Sequence, residues 1–363
     1  MLRCDAFHLL TSGPGDVAGL AALIDAGTLD PAHIVAVLGK TEGNGCVNDF
    51  TREYATVALV GLLSQRLGID AAAVHRRVAF VMSGGTEGVL SPHLTVFTRR
   101  PATQAAPAGA KRLSIGVAFT RDFLPEEIGR SPQVHETALA VRAAMQDAAI
   151  ADAADLHFVQ VKCPLLSSQR IAAARERGRD TATVDSYESM ALSRGASALG
   201  VAVATGEVDA GRVHDGVVLR DTSLASSVAS ASAGIELLHN VVVVLGMSAH
   251  ACSPFVIGHD VMRDAIDAAA VRRALSALDI ADGDAAQRIV NVFAKSEASP
   301  DGTVRGARHT MLNDSDLHST RHARAAVGAV IASVVGRTAV YVSGGAEHQG
   351  PPGGGPVAVV ARA

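Results

Sequence analysis

A serine followed by two small residues, with a glutamate four positions on, occurs three times along this chain: Ser83-Gly84-Gly85-Thr86-Glu87, Ser232-Ala233-Gly234-Ile235-Glu236 and Ser343-Gly344-Gly345-Ala346-Glu347. An apolar or small-residue run precedes each. A serine that ends a strand before glycine or alanine leaves both its hydroxyl and the next backbone N–H uncovered. One Ser-Gly-Gly is an ordinary turn. Three in one chain mark an internal repeat, and a repeat restricts the fold to copies of one supersecondary unit packed together.

The serines are the last members of a recurring order, Lys, Arg, Ser. Lys40 follows the apolar run 34–38 and Arg52 opens a helical pattern of Ala, Val and Leu. Lys162 follows the alternating stretch 156–161, and Arg194 opens a small-residue helix. Lys295 follows 289–294, and Arg324 opens a helix of Ala and Val. The units read as residues 1–103, 112–249 and 255–363, with an Ala- and Pro-rich linker at 99–111 between the first two. Each reads as about four strands and two helices. The expected fold is α/β, with the three repeats around a pseudo-threefold axis, their sheets closing into a β-barrel and the helices outside. Equivalent positions would then converge on a pocket of three lysines, three arginines and three serines.

Composition narrows the function. With no Trp and 3% aromatic residues, the core has to be built from Ala, Val, Leu and Ile. A net charge of −4 gives no drive toward nucleic acid or an anionic membrane. No apolar run approaches the roughly 20 residues of a membrane span, and 1–16 lacks a signal-like apolar segment. Cys4, Cys46, Cys163 and Cys252 form no C-x-x-C pair and read as reduced thiols. A cytoplasmic enzyme acting on a small molecule is the expectation. His318 and His322 have the i, i+4 spacing of a metal pair but no third ligand accompanies them. Gly39-Lys40-Thr41 lacks the first glycine of a P-loop, with Ile34 in its place.

Six cations around one concavity favour a ligand that is anionic or rich in carbonyl oxygens, and threefold placement suggests a ring whose carbonyls are themselves threefold. Mutual repulsion would lower at least one lysine's pKa, freeing a neutral amine to take a serine proton. That is a Ser-Lys dyad able to open a cyclic amide or imide. Lys40 and Lys295 are each followed two residues later by a glutamate, Glu42 and Glu297, which would hold them charged. Lys162 is followed by Cys163-Pro164. Lys162 is therefore the candidate base and Ser232 the candidate nucleophile. Glu87, Glu236 and Glu347 read as groups that fix their own turns through backbone N–H.

The stretches 39–45, 81–92, 230–236 and 341–355 together resemble the ring-opening amidohydrolases, the family of cyanuric acid hydrolases and barbiturases, over the full chain. The resemblance implies a three-repeat barrel, ring opening of cyanuric acid to carboxybiuret and then biuret (or of barbituric acid in the sister activity), and a homotetramer. It implies substrate contacts at Arg52, Ser83, Gly84, Arg194, Ser232, Ala233, Arg324, Ser343 and Gly344, beside Lys40 and Lys295, with Lys162 as base and Ser232 as nucleophile. It also implies a structural Mg²⁺ or Ca²⁺ held by Glu297 and backbone oxygens of Ala346, Gln349, Gly350, Pro351 and Gly354. A hard cation suits carbonyl oxygens turned inward by a Gly-Pro-rich loop.

Overall fold

Val-, Ile- and Ala-rich runs bounded by polar turns form three four-stranded sheets in the computed structural model, which describes residues 1–102, 109–281 and 284–363. The first contains β1 (Leu2–Leu10), β2 (Ile34–Thr41), β3 (Ala79–Gly84) and β4 (His93–Pro101), in the order β1-β4-β2-β3. The second contains β5 (Arg112–Phe119), β6 (Leu156–Pro164), β7 (Ala229–Gly234) and β8 (Val241–Ser248), in the order β5-β8-β6-β7. In the third are β9 (Phe255–Met262), β10 (Ile289–Ser296), β13 (Tyr341–Gly344) and β14 (Gly355–Arg362), ordered β9-β14-β10-β13. A small hairpin, β11 (Thr303–Val304) with β12 (Ala307–Arg308), stands apart from them.

In each sheet one pair is parallel: β2 with β3, β6 with β7 and β10 with β13. A parallel pair cannot be closed by a tight turn and requires a crossover, usually a helix. The long crossover helices are Thr51–Leu67, Ser186–Thr205 and Ser319–Val335. Each ends at a glycine in the left-handed region, Gly68, Gly206 and Gly336, as a helix built from small apolar residues needs if it is to stop and return to the sheet. Helix Thr51–Leu67 buries Arg52, Ala55, Leu59, Val60 and Leu63, one face at helical spacing. Among the described residues no single helix is long and apolar enough to cross a membrane.

The mixed α/β architecture agrees with the sequence, but the closed barrel does not. The three sheets remain separate hydrogen-bonded entities. They meet instead through side chains in a shared core that draws Ala6, Leu38 and Phe97 from the first, Leu113, Phe158 and Val243 from the second, and Ile257, Phe293 and Tyr341 from the third. Phe293 lies at its middle, its ring 6.2 Å from Phe97, 5.2 Å from Phe158 and 5.6 Å from Tyr341. The physical reason is length and ending: β3, β7 and β13 run only 6, 6 and 4 residues before their Ser-Gly or Ser-Ala-Gly ends. Residues 103–108 of the linker read at 99–111 lie outside the described residues.

Candidate active site

Strand register makes each lysine the partner of its serine. Across the parallel pairs the Cα partners are Lys40 with Ser83, Lys162 with Ser232, and Lys295 with Ser343. The arginines lie on the crossover helices that link the same strands. Arg52, Ser83, Gly84, Lys162, Arg194, Ser232, Ala233, Arg324, Ser343 and Gly344 line one narrow pocket, together with Gly45 and Met190. Lys40 and Lys295 stand just behind it, bonded to its serines. Gly45 and Met190 are the two lining residues that the Lys-Arg-Ser pattern did not point to; neither carries a signal in that pattern.

The lysines are buried, and they differ. Lys40 Nζ donates to Ser83 Oγ at 3.1 Å and to the Gly84 carbonyl at 3.3 Å, and lies 5.7 Å from the Tyr341 ring centroid. Lys295 Nζ donates to Ser343 Oγ at 3.2 Å, to the Gly344 carbonyl at 3.1 Å and to the Ala231 carbonyl at 2.8 Å. Lys162 Nζ donates to the Met82 carbonyl at 3.0 Å and faces Glu236 Oε1 at 3.4 Å. Ser232 Oγ instead has Gln160 Nε2 at 3.4 Å. Burial pushes all three ammonium groups down: Lys40 well below its ordinary value, helped by Arg324; Lys295 to about 7, helped by Arg194; and Lys162 downward against the opposing pull of Glu236.

The asymmetry expected from Glu42 and Glu297 is corrected here. Glu42 is exposed, and the carboxylates that support a charged Lys40 are Glu87 and Asp49. Glu297 acts on Lys295 only weakly, after Glu347. Lys162, read as the lysine without an acid, is the one in an ion pair. Sequence adjacency misled because residues two apart on a strand share a face only while the strand continues, and β2 ends at Thr41.

The recurring glutamates do more than fix turns. Glu87 accepts from Arg324 through both oxygens, 2.8 Å from Nε and 2.5 Å from NH2. Glu347 takes Arg194 in the same way, at 2.8 and 2.5 Å. Each pair joins one sheet's serine loop to another sheet's crossover helix. Bidentate pairing orients the guanidinium as well as neutralising it. Arg52 breaks the pattern and donates to carbonyls: Asp49 at 3.3 Å, Ala233 at 2.9 Å and Cys46 at 2.8 Å. Buried Asp49 holds the intervening loop, accepting from the backbone N–H groups of Gly45 at 2.8 Å and Thr51 at 3.1 Å.

Around Glu297 the donor set suits a hard cation. The side chain is largely buried with one weak hydrogen bond, from Gly353 N–H at 3.3 Å, and burial and nearby Glu347 push it up to about 7. It lines a cavity with Ala346, Glu347, His348 and Gly350. Gln349 commits its side chain elsewhere, accepting from Ala231 N–H at 2.7 Å and donating to the carbonyls of Gly345 and Glu347, so only its main-chain oxygen is left for a cation. Among the described residues no group of three His, Cys, Asp or Glu is placed to hold a metal, so an ion here would rest on Glu297 and carbonyl oxygens.

The family model of the amidohydrolase ring-opening proteins matches residues 5–362. A cyanuric acid amidohydrolase of Pseudomonas sp. (strain ADP) is 64% identical over 363 residues, covering 100% of both chains. One of Bradyrhizobium diazoefficiens is 64% identical over 361 residues, covering 98% of this chain and 97% of its own. A solved cyanuric acid hydrolase structure, described as an innovation by structural concatenation, superposes with a TM-score of 0.97 at 64% identity over 100% of both chains. That of the A. caulinodans enzyme superposes at 0.93 with 52% identity, covering 100% of this chain and 99% of that one.

Proposed function

Because this chain belongs to the ring-opening amidohydrolase family, we propose that it hydrolyses cyanuric acid, opening the ring to carboxybiuret, which loses carbon dioxide to leave biuret. One observation carries the reading: three serines, three arginines and Lys162, drawn from three sheets of identical strand order and their crossover helices, line a single pocket, with Lys40 and Lys295 bonded to its serines from behind. A ring with three equivalent carbonyls matches that set of donors.

In the proposed mechanism neutral Lys162 takes the proton of Ser232, whose Oγ attacks a ring carbonyl. Backbone N–H beyond the serine and the pocket arginines stabilise the oxyanion. Its collapse breaks the ring C–N bond, the lysine returns the proton to the leaving nitrogen, and water releases the acyl group from Ser232. Arg52, Arg194 and Arg324 orient the ring, with the N–H groups beside Ser83 and Ser343 and the buried Lys40 and Lys295 completing the carbonyl contacts. For this chemistry Lys162 has to exchange Glu236 and the Met82 carbonyl for Ser232.

Residues 1–103, 112–249 and 255–363 are read as three copies of one unit about a pseudo-threefold axis; their equal strand orders support this. A structural Mg²⁺ or Ca²⁺ would be held by Glu297 with main-chain oxygens of Ala346, Gln349, Gly350, Pro351 and Gly354, stiffening the loop beside Ser343 and supplying charge neutralisation there. The homotetramer is part of the same reading, supported by Phe50, Tyr54 and Val57, which leave an apolar stripe 76%, 58% and 61% exposed from the N-cap into the first turns of helix Thr51–Leu67. Light scattering on the purified protein tests the assembly. A cytoplasmic location completes the proposal.

The deciding experiment incubates purified protein with cyanuric acid and, separately, barbituric acid, following loss of each ring and appearance of biuret. Loss of cyanuric acid with biuret formed is the expected result. Consumption of barbituric acid alone, or binding without turnover of either, would overturn it.

A further inference from the structure

The three serine loops are alike in sequence but not in backbone. Gly85 and Gly345, two residues after their serines, adopt φ of +106° and +77°. In that conformation the face a Cβ would occupy is taken by an arginine: Arg324 Nε would be 2.5 Å from it at Gly85, and Arg194 Nε 2.6 Å at Gly345. Gly234, the third member, is not among the positive-φ residues and continues strand β7. Its open face is covered by the carboxylate of Glu236. The serine loop that carries Ala233 in place of a first glycine therefore turns its glutamate inward, onto Lys162 at 3.4 Å, while the other two turn theirs to an arginine. Arg52, which the pattern of Glu87 on Arg324 and Glu347 on Arg194 would give to Glu236, is satisfied by carbonyls and by the buried Asp49 carboxylate, 3.8 Å away, instead.

We propose that Glu236 is the positioning residue that singles out Lys162 from the three lysines, holding its Nζ off Ser232 at rest and governing its return as the base. Lys40 and Lys295 are already bonded to their serines, and their loops' glutamates are occupied by guanidinium groups. Of the three, Lys162 is the one with two alternative partners, a carboxylate and a serine. The inference rests on the ring-opening reading above and adds to it the residue that decides which dyad acts. Charged and titratable groups around the pair are Arg52 from its crossover helix, Arg170 and Cys163 near the strand end, and Glu53, His75 and His239 across the cavity that Glu236 also lines.

The test is the pH dependence of kcat/KM for cyanuric acid in wild type, Glu236→Gln, Glu236→Asp and Glu87→Gln, with ring loss as readout. A carboxylate beside an ammonium favours the charged form, so its removal makes neutral Lys162 available at lower pH. The acid limb of the profile should move by about one pH unit toward acid in Glu236→Gln and return toward wild type in Glu236→Asp. Glu87→Gln, which loosens Arg324, should raise KM and leave that limb in place. An unmoved acid limb in a folded, active Glu236→Gln enzyme, or the same displacement in Glu87→Gln, overturns the inference. Failure of the wild type to consume cyanuric acid would instead overturn the underlying function, so the two failures are distinguishable.

Discussion

Lys162 and Ser232 are partners in register across parallel strands β6 and β7, yet the lysine's Nζ is bonded to the Met82 carbonyl and paired with Glu236. In the other two sheets the corresponding lysine and serine are in direct contact, at 3.1 and 3.2 Å. One of three otherwise similar pairs is thus held apart.

Ser232→Ala should abolish ring opening while leaving the circular dichroism spectrum unchanged, since strand pairing at this position is carried by the main chain. Ser83→Ala and Ser343→Ala should keep measurable turnover with a raised KM. Activity surviving in Ser232→Ala would transfer the nucleophile to one of those two positions.

Arg324→Ala removes a buried guanidinium and leaves Glu87 without its partner. Breaking such a pair typically costs about 3 kcal/mol or more. Urea denaturation of this variant should show a midpoint shifted down accordingly, and Glu87→Gln together with Arg324→Met should recover part of the loss.

Two glycine replacements should act in opposite directions. Gly61 lies inside helix Thr51–Leu67, and a Cβ added there would meet nothing within 4 Å, so Gly61→Ala should stabilise by about 0.5–1 kcal/mol. Gly85→Ala would combine a left-handed φ with a clash against Arg324, and should destabilise by about 1–3 kcal/mol. Thermal melts of the two variants against wild type check both signs.

Burial pushes His93 down to about 3, and its ring is stacked on His8, pushed down by burial to about 4, with centroids 4.9 Å apart. The folded protein keeps both rings neutral where the unfolded chain, with a value of ~6.5, takes up protons. The stability they contribute is therefore complete above pH ~6.5 and is lost as pH falls toward the folded values. Each ring should give a slope of about 1.4 kcal/mol per pH unit in that window. His93→Gln, whose amide oxygen can still accept from Asn291 Nδ2, should flatten the slope between about pH 4 and about pH 6 in denaturant titrations.

Added Mg²⁺ or Ca²⁺ should raise the melting temperature of the chelator-treated wild type and not that of Glu297→Gln. Equal shifts in both proteins would remove Glu297 from the proposed cation site.

The Lys-Arg-Ser order was legible because each member occupies a locally determined place: the lysine at the end of an apolar strand, the arginine on the helix that a parallel connection requires, the serine before small residues that stop the next strand. Each signal lies within a few residues of its own position and depends on side-chain period and turn chemistry, so the sequence alone pointed to the α/β elements and to the serines, arginines and Lys162 of the pocket, while Gly45 and Met190 came only with the packing. Which carboxylate meets which cation was not available from it. Glu87 and Arg324 are 237 positions apart, and Glu347 and Arg194 are 153 apart. Adjacency suggested Glu42 for Lys40, and the end of β2 leaves Glu42 in solvent. The tertiary structure also decided that the sheets meet through Phe97, Phe158 and Phe293 rather than through a closed ring of hydrogen bonds, and that of the three loop glutamates it is Glu236 that turns to a lysine. Charge pairing and sheet closure depend on distances between units, and only packing sets those distances.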